Sequence, residues 1–176
     1  MAQNPLELFD VVDAQDRVIG QAPRGEVHAR GLWHRAVHIW VFNRAGEVFL
    51  QQRSLAKDMS PGLWDSSCSG HVDAGEEYDA AAWRELGEEL GLRLSAPPAR
   101  WHRFEACAET GWEFGWVYRT AHEGPFTLHP QEIQGGEWLA PAELGRRVTA
   151  RPQDYCPAFK LIWARVRPEL TAAGSA

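Results

Sequence analysis

The chain has 176 residues, 44% hydrophobic and 24% charged, with a formal net charge of −6, the balance of an ordinary globular protein whose length favours one domain with a full core. The acid excess and the lack of any Lys/Arg-dense block argue against a nucleic-acid scaffold, and no stretch is long and apolar enough to span a membrane. Three widely spaced cysteines, Cys68, Cys107 and Cys156, form no C-x-x-C pair, and MAQNPLELFDVV lacks the basic and apolar regions of a signal peptide, so the expectation is a cytoplasmic protein with reduced thiols.

In chain order, LELFDVV, DAQD and RVIGQA read as strand, turn and strand, an N-terminal hairpin. RGEVHARG is polar with room for a helical turn. HRAVHIWVF and EVFLQQR are rich in Val, Ile and Phe and are joined by the turn NRAG, which predicts a second hairpin. SLAKDMSPGLW is a loop marked by Pro61-Gly62, and LWDSSCSGHV a short strand leading into the loop HVDAGEE. Asp79 to Leu90 is the clearest helix, stopped by Gly91. WHRFEACAE and WEFGWVYRT predict another strand pair, and HEGPFTLHPQEIQGG a long loop. EWLA is a short strand, PAELGRRV a helix with proline at its first position, and PAFKLIWARVRPEL a closing amphipathic helix. Strands and helices mix without strict alternation, which predicts an α/β fold with a mixed sheet and helices on its faces. The core should run from about residue 7 to 168, with a flexible tail over 169–176.

The clearest helix carries an electrostatic oddity. At about 100° per residue, with Glu85 at zero, Glu89 lies about 40° to one side and Glu88 about 60° to the other. All three acids share one face, next to the face of Ala82, Trp83, Leu86 and Leu90 that must pack on the sheet. Like charges at this spacing repel, and within the helix no Lys or Arg stands four residues after any of them; the nearest later cation, Arg93, lies beyond the stop at Gly91. A divalent cation is the natural compensator, because Mg²⁺ and Mn²⁺ prefer carboxylate oxygen and Mg²⁺ is commonly shared with substrate phosphates.

The residues also carry a resemblance. The stretch GHVDAGEEYDAAAWRELGEELGL resembles the Nudix box, G-x5-E-x7-R-E-U-x-E-E-x-G-U with U a bulky aliphatic. Gly70, Glu76, Arg84, Glu85, Leu86, Glu88, Glu89, Gly91 and Leu92 fill every fixed position. The resemblance implies an α/β/α sandwich and a metal-dependent hydrolase of a diphosphate linkage, in a nucleoside diphosphate derivative or another small phosphorylated metabolite. It implies that Glu85, Glu88 and Glu89 hold Mg²⁺ or Mn²⁺, that Gly70 brings backbone close to the metal, and that Glu76 and Arg84 brace loop against helix. Glu77 stands where Ser or Thr would cap the helix better. Glu132, six residues before Trp138 in QEIQGGEW, is the candidate for a further metal ligand or general base, ahead of Glu113 and Glu137. Arg53 and Lys57 are candidate phosphate ligands. Family analogy allows a homodimer; no membrane and no stable nucleic-acid partner is expected.

From about residue 7 to 165 the chain is also similar to type 1 isopentenyl-diphosphate isomerases, a branch of the same superfamily. Arg53 and Lys57 match that branch's diphosphate-binding pair, and His34 and His71 two of its three metal-binding histidines; His28 matches the third after a one-residue gap. Two departures count against isomerase activity. The catalytic cysteine aligns with Ser69, with Cys68 expected on the opposite strand face. Of the two metal-binding glutamates, Glu113 matches the first, but the second falls on Gly115. The alternatives to hydrolysis are thus an isomerase-like enzyme and a nucleotide-binding module without catalysis. Specificity is expected from the Trp112–Trp116 strand, the 122–135 loop and Trp33.

Overall fold

Hydrophobic strands that must be covered on both faces place the sheet at the centre of the molecule. A computed structural model describes residues 4–173. In chain order it contains β1 (Leu8–Val12), β2 (Val18–Pro23), α1 (Arg24–Arg30), β3 (His34–Phe42), β4 (Val48–Arg53), β5 (Trp64–Asp65) and β6 (Cys68–His71). There follow α2 (Tyr78–Leu90), β7 (Ala99–Phe104), β8 (Glu113–Ala121), β9 (Ile133–Leu139), α3 (Pro141–Ala150), a 3₁₀ turn at Pro152–Asp154 and α4 (Pro157–Ala173).

β1 and β2 form the predicted hairpin as a separate two-stranded sheet. The main sheet is mixed: β3 runs parallel to β8 from His34–Glu113 to Phe42–Ala121, and its other pairings are antiparallel. Val37, Ile39 and Val41 of β3 pack with Ala81, Ala82, Leu86 and Leu90 of α2. Trp40, on the opposite face, packs with Leu144 of α3 and with Phe159, Ile162, Trp163 and Val166 of α4. Its indole stacks on Phe159 at 5.5 Å. This is the expected α/β/α layering, and the two-sided cover explains why β3 is apolar almost throughout.

Four local expectations change. The NRAG turn joins β3 to β4, but only Val41–Phe49 and Phe42–Val48 pair across it. β6 takes the rest of that β3 edge, from Ala36 to Ile39, and β4 diverges to pair with β5 and β9. β9 starts at Ile133, inside the predicted long loop, because Ile133 is drawn into the core beside α2. Trp83, expected on the packed face of α2, is 42% exposed and donates its indole N–H to Leu94 O, while Ala81 is buried instead. Lastly, α4 continues past residue 168 through the predicted tail to Ala173. Glu169 accepts a hydrogen bond from Trp101 Nε1 at 2.8 Å and faces His102 Nε2 at 2.9 Å, which ties the last turns to β7. The rest of that tail, 174–176, lies outside the described residues.

Candidate active site

The chemistry-bearing residues converge on a cleft of about 570 Å³ beside β6, open to α2 on one side and to the β4–β5 loop on the other. Glu85, Glu88, Glu89, Gly70, Arg53, Lys57 and Glu132 all line it. β6 supplies the backbone and α2 the carboxylates. A side chain at Gly70 would put its Cβ 2.0 Å from Glu85 Oε1, so only glycine lets the carboxylate lie against the strand. The Glu89 carboxylate accepts hydrogen bonds from Ser69 N at 3.1 Å and Gln51 Nε2 at 3.4 Å. Glu77 occupies the N-cap of α2 without a side-chain capping bond, and Gly91 closes the helix with a left-handed backbone, as the sequence predicts.

The three acids are not equivalent. Glu85 and Glu89 are buried, whereas the Glu88 side chain is 59% exposed at the mouth. Burial pushes the Glu85 and Glu89 carboxyls well above the usual range; Arg84 opposes this at Glu85, and the charge of Glu85 adds to it at Glu89. The expectation that the helix lacks its own cation needs correction. Arg84, four residues before Glu88 and not after it, donates to Glu85 at 2.7 Å and Glu88 at 3.2 Å. It also donates to Glu76 at 3.0 and 2.8 Å and to His71 O at 3.0 Å, bracing loop, strand and helix as the motif implies. A guanidinium has donors enough for all of these partners, and its length lets it reach backwards along the helix. Glu89 receives nothing from it, so the innermost acid keeps the strongest demand for another cation. Oxygen donors from Glu85, Glu88 and Glu89 beside the bare Gly70 backbone fit an oxygen-preferring divalent ion.

The opposite wall is self-paired. The Lys57 ammonium contacts the Glu132 carboxylate, joining the β4–β5 loop to the turn before β9. Arg53 donates to Met59 O at 3.2 and 3.0 Å and lies 3.3 Å from Asp65 Oδ2. Glu137 is bound to Arg147 at 2.6 Å on the surface and does not line the cleft.

Beyond β6 lies a second cluster. His28 of α1, His34 of β3 and His71 of β6 bring ring nitrogens within 4.8 Å of one another. Nε2 of each is buried without a hydrogen-bond partner, although Glu113 Oε1 stands 3.6 Å from that of His34 and 3.2 Å from that of His71. Burial drives the His71 pKa down to about 4, so the imidazole is neutral and its lone pair available near neutrality. Three imidazoles and a carboxylate suit a transition metal such as Zn²⁺ or Mn²⁺. At Gly115 a Cβ would fall 2.2 Å from Phe104 Cζ and 2.6 Å from Ala36 O, so no second glutamate fits there. Cys68 faces the α2 core, fully buried, while Ser69 lines the cleft, as strand alternation predicts. All three cysteines are free.

No tryptophan lines the cleft, which removes Trp33 and the Trp112–Trp116 segment from its walls apart from Glu113; the 122–135 loop contributes His129 and Glu132. Arg24, His38 and Asp65 line it without having been singled out from the sequence. For His38 the signal was available: it stands four residues after His34 on one strand, hence on the same face.

A family model described as the NUDIX domain matches residues 32–159. An uncharacterized Nudix hydrolase of Pseudomonas aeruginosa is 40% identical over 158 residues, 89% of this chain and 90% of that protein. An isopentenyl-diphosphate Delta-isomerase of Pectobacterium atrosepticum is 32% identical over 165 residues, 92% of each chain. The crystal structure of DR0079 from Deinococcus radiodurans superimposes with a TM-score of 0.74 at 32% identity, covering 82% of this chain and 90% of that one.

Proposed function

The chain belongs to the Nudix family, and from that premise we propose that it hydrolyses a diphosphate linkage in a nucleoside diphosphate derivative or similar small phosphorylated metabolite, with Mg²⁺ or Mn²⁺. The observation that carries this reading is that Glu85, Glu88 and Glu89 line one cleft with Gly70, Arg53 and Lys57, with the Glu85 carboxylate lying against Gly70. Glu85, Glu88 and Glu89, with Glu132 and the Gly70 backbone, would hold the ion. Such an ion would supply charge neutralisation for the phosphates and would favour ionisation of the attacking water near neutral pH. Glu132 would act as the general base for the attacking water, and its contact with Lys57 keeps both side chains at the cleft wall. Arg53 presents a planar fork and Lys57 a point charge to the diphosphate, orienting it for in-line attack.

His28, His34, His71 and Glu113 support a second metal in the same cleft. They support the isomerase reading less, because Ser69 replaces the thiol and Phe104 fills the space of the second glutamate. The test is a panel of nucleoside diphosphate derivatives and small diphosphates incubated with Mg²⁺, Mn²⁺ or Zn²⁺. Release of phosphate or monophosphates is expected, and Glu88→Gln should lower it by about a hundredfold or more. Wild-type turnover no greater than that of Glu88→Gln across the panel would sink the reading. Proton exchange of isopentenyl diphosphate with D₂O, expected to be absent, would favour the isomerase instead.

A further inference from the structure

We infer that Asp65 is the positioning residue of Arg53: its buried carboxylate fixes the guanidinium plane so that one N–H of each terminal nitrogen is offered to the cleft as a fork. That the fork receives a diphosphate rests on the proposed function; how the fork is held does not.

Arg53 ends β4 with its side chain only 12% exposed, so its charge sits largely out of water at the cleft. Guanidinium donors lie in one plane, one on Nε and two on each terminal nitrogen. Nε and Nη2 donate to Met59 O at 3.2 and 3.0 Å, and Nη1 donates to Asp65 Oδ2 at 3.3 Å. Among the described residues these contacts leave one N–H on Nη1 and one on Nη2, the pair that a bidentate anion contact uses. A single carbonyl would leave the group free to swing about that contact. The second anchor, on Nη1, removes the freedom.

Both anchors are themselves fixed. Ser60, straight after Met59, holds a left-handed backbone at φ 50 just before Pro61, a conformation that a non-glycine residue keeps only where its surroundings impose it. Asp65 is buried, and its Oδ1 accepts from Ser66 N at 2.8 Å. β5 is pinned on one side by the Gln51–Asp65 pairing with β4 and on the other by Cys156 N, which donates to Trp64 O at 3.0 Å. Stability is a poor reason for this ion pair, because desolvation offsets the attraction between buried charges. His38 is a poor reason too, since its Nδ1 is 3.7 Å from Asp65 but 3.1 Å from Ser66 Oγ. By charge alone, a carboxylate beside Arg53 weakens the hold on any anion. Asp65 therefore helps only if the geometry it imposes outweighs its charge, and the two effects have opposite signs.

The test is calorimetric binding of methylenediphosphonate, a diphosphate analogue whose carbon bridge resists hydrolysis, with Mg²⁺, to the wild type and to Asp65→Asn. An amide has one oxygen where the carboxylate uses two, so the substitution keeps the shape and loses an anchor. Positioning predicts binding weakened about tenfold, whereas charge alone predicts it tightened. In an Arg53→Lys background, where no plane is left to orient, Asp65→Asn should cost nothing further. Side-chain nitrogen NMR, with Arg53 assigned by its loss in Arg53→Lys, should show separate Nη signals in the wild type, the signature of a guanidinium that does not rotate, and a merged signal in Asp65→Asn. A merged signal in the wild type overturns the inference, and it is readable even if Asp65→Asn fails to fold, which circular dichroism checks. Separate signals that persist in the variant overturn it as well. So does unchanged or tighter binding by folded Asp65→Asn, or an equal loss in the Arg53→Lys background. Separate signals in a wild type that binds no diphosphonate would instead overturn the proposed function and leave Arg53 held by Asp65.

Discussion

The Arg24 guanidinium, nearly buried at the start of α1, donates to Asp58 at 2.6 and 3.0 Å and so clasps the β4–β5 loop across one end of the cleft. Partial burial works against the Asp58 carboxylate, but Arg24 outweighs it and holds the pKa below the ordinary 3.8. A depressed carboxylate pKa contributes stability that is present above the unfolded value and is lost as pH falls through the folded one. A carboxyl-detected NMR titration should therefore place Asp58 below 3.8 in the wild type and move it upward in Arg24→Gln. An unshifted Asp58 in the variant would show that the clasp does not form. Gly70 has a different constraint, one of space. Gly70→Ala sets a methyl 2.0 Å from Glu85 Oε1 and forces the carboxylate off the strand. The expected cost is about 1–3 kcal/mol in denaturant unfolding, typical of overpacking, together with weaker Mn²⁺ binding by calorimetry. Unchanged Mn²⁺ affinity would remove Gly70 from the metal site.

Within α2 the buried seam and the acidic edge are adjacent, so the helix both fills the core and presents ligands. Leu86 is fully buried with Val37 and Ile39, whereas Trp83 is 42% exposed. Leu86→Ala should cost about 2–5 kcal/mol and Trp83→Ala much less, both read from urea unfolding. The reverse order would mean that α2 is rotated relative to the sheet. The sequence places Trp83 with the seam because the helix period sets it about 20° from Leu90; in the structure Trp83 sits at the seam's outer edge, and burial extends on the other side to Ala81. The hairpin turn NRAG was legible for the same local reason, as a turn. How soon β3 and β4 part was not, because it depends on β6, which starts fifteen residues after β4's end at Arg53 and competes for the same edge.

At the scale of the whole molecule, a sheet covered on both faces brings strands, helices and loops from widely separated parts of the chain to one cleft. Buried Glu85 and Glu89 raise the cost of the ion-free state, so a divalent ion that binds the folded chain should stabilise it. At a hundredfold excess over its Kd, linkage gives about 2.7 kcal/mol, visible as a rise in Tm with Mg²⁺ or Mn²⁺ that Glu85→Gln abolishes. An equal rise in that variant would move the ion elsewhere, the histidine cluster being the first place to look. The sequence by itself determined the α/β layering, the complete motif and the carboxylates on one helical face, because strand period, helix period and glycine stops are local properties of the chain. It also gave the two-sided alternation that separates Cys68 from Ser69. Only the tertiary structure decided that Arg84 serves the acids from four residues upstream and that Lys57 meets Glu132. It likewise closed the space at Gly115 with Phe104 and brought His38 and Arg53 to the Asp65 carboxylate. Each of those facts pairs residues distant along the chain or turns on a side chain's reach, and neither is written in the spacing of neighbouring residues.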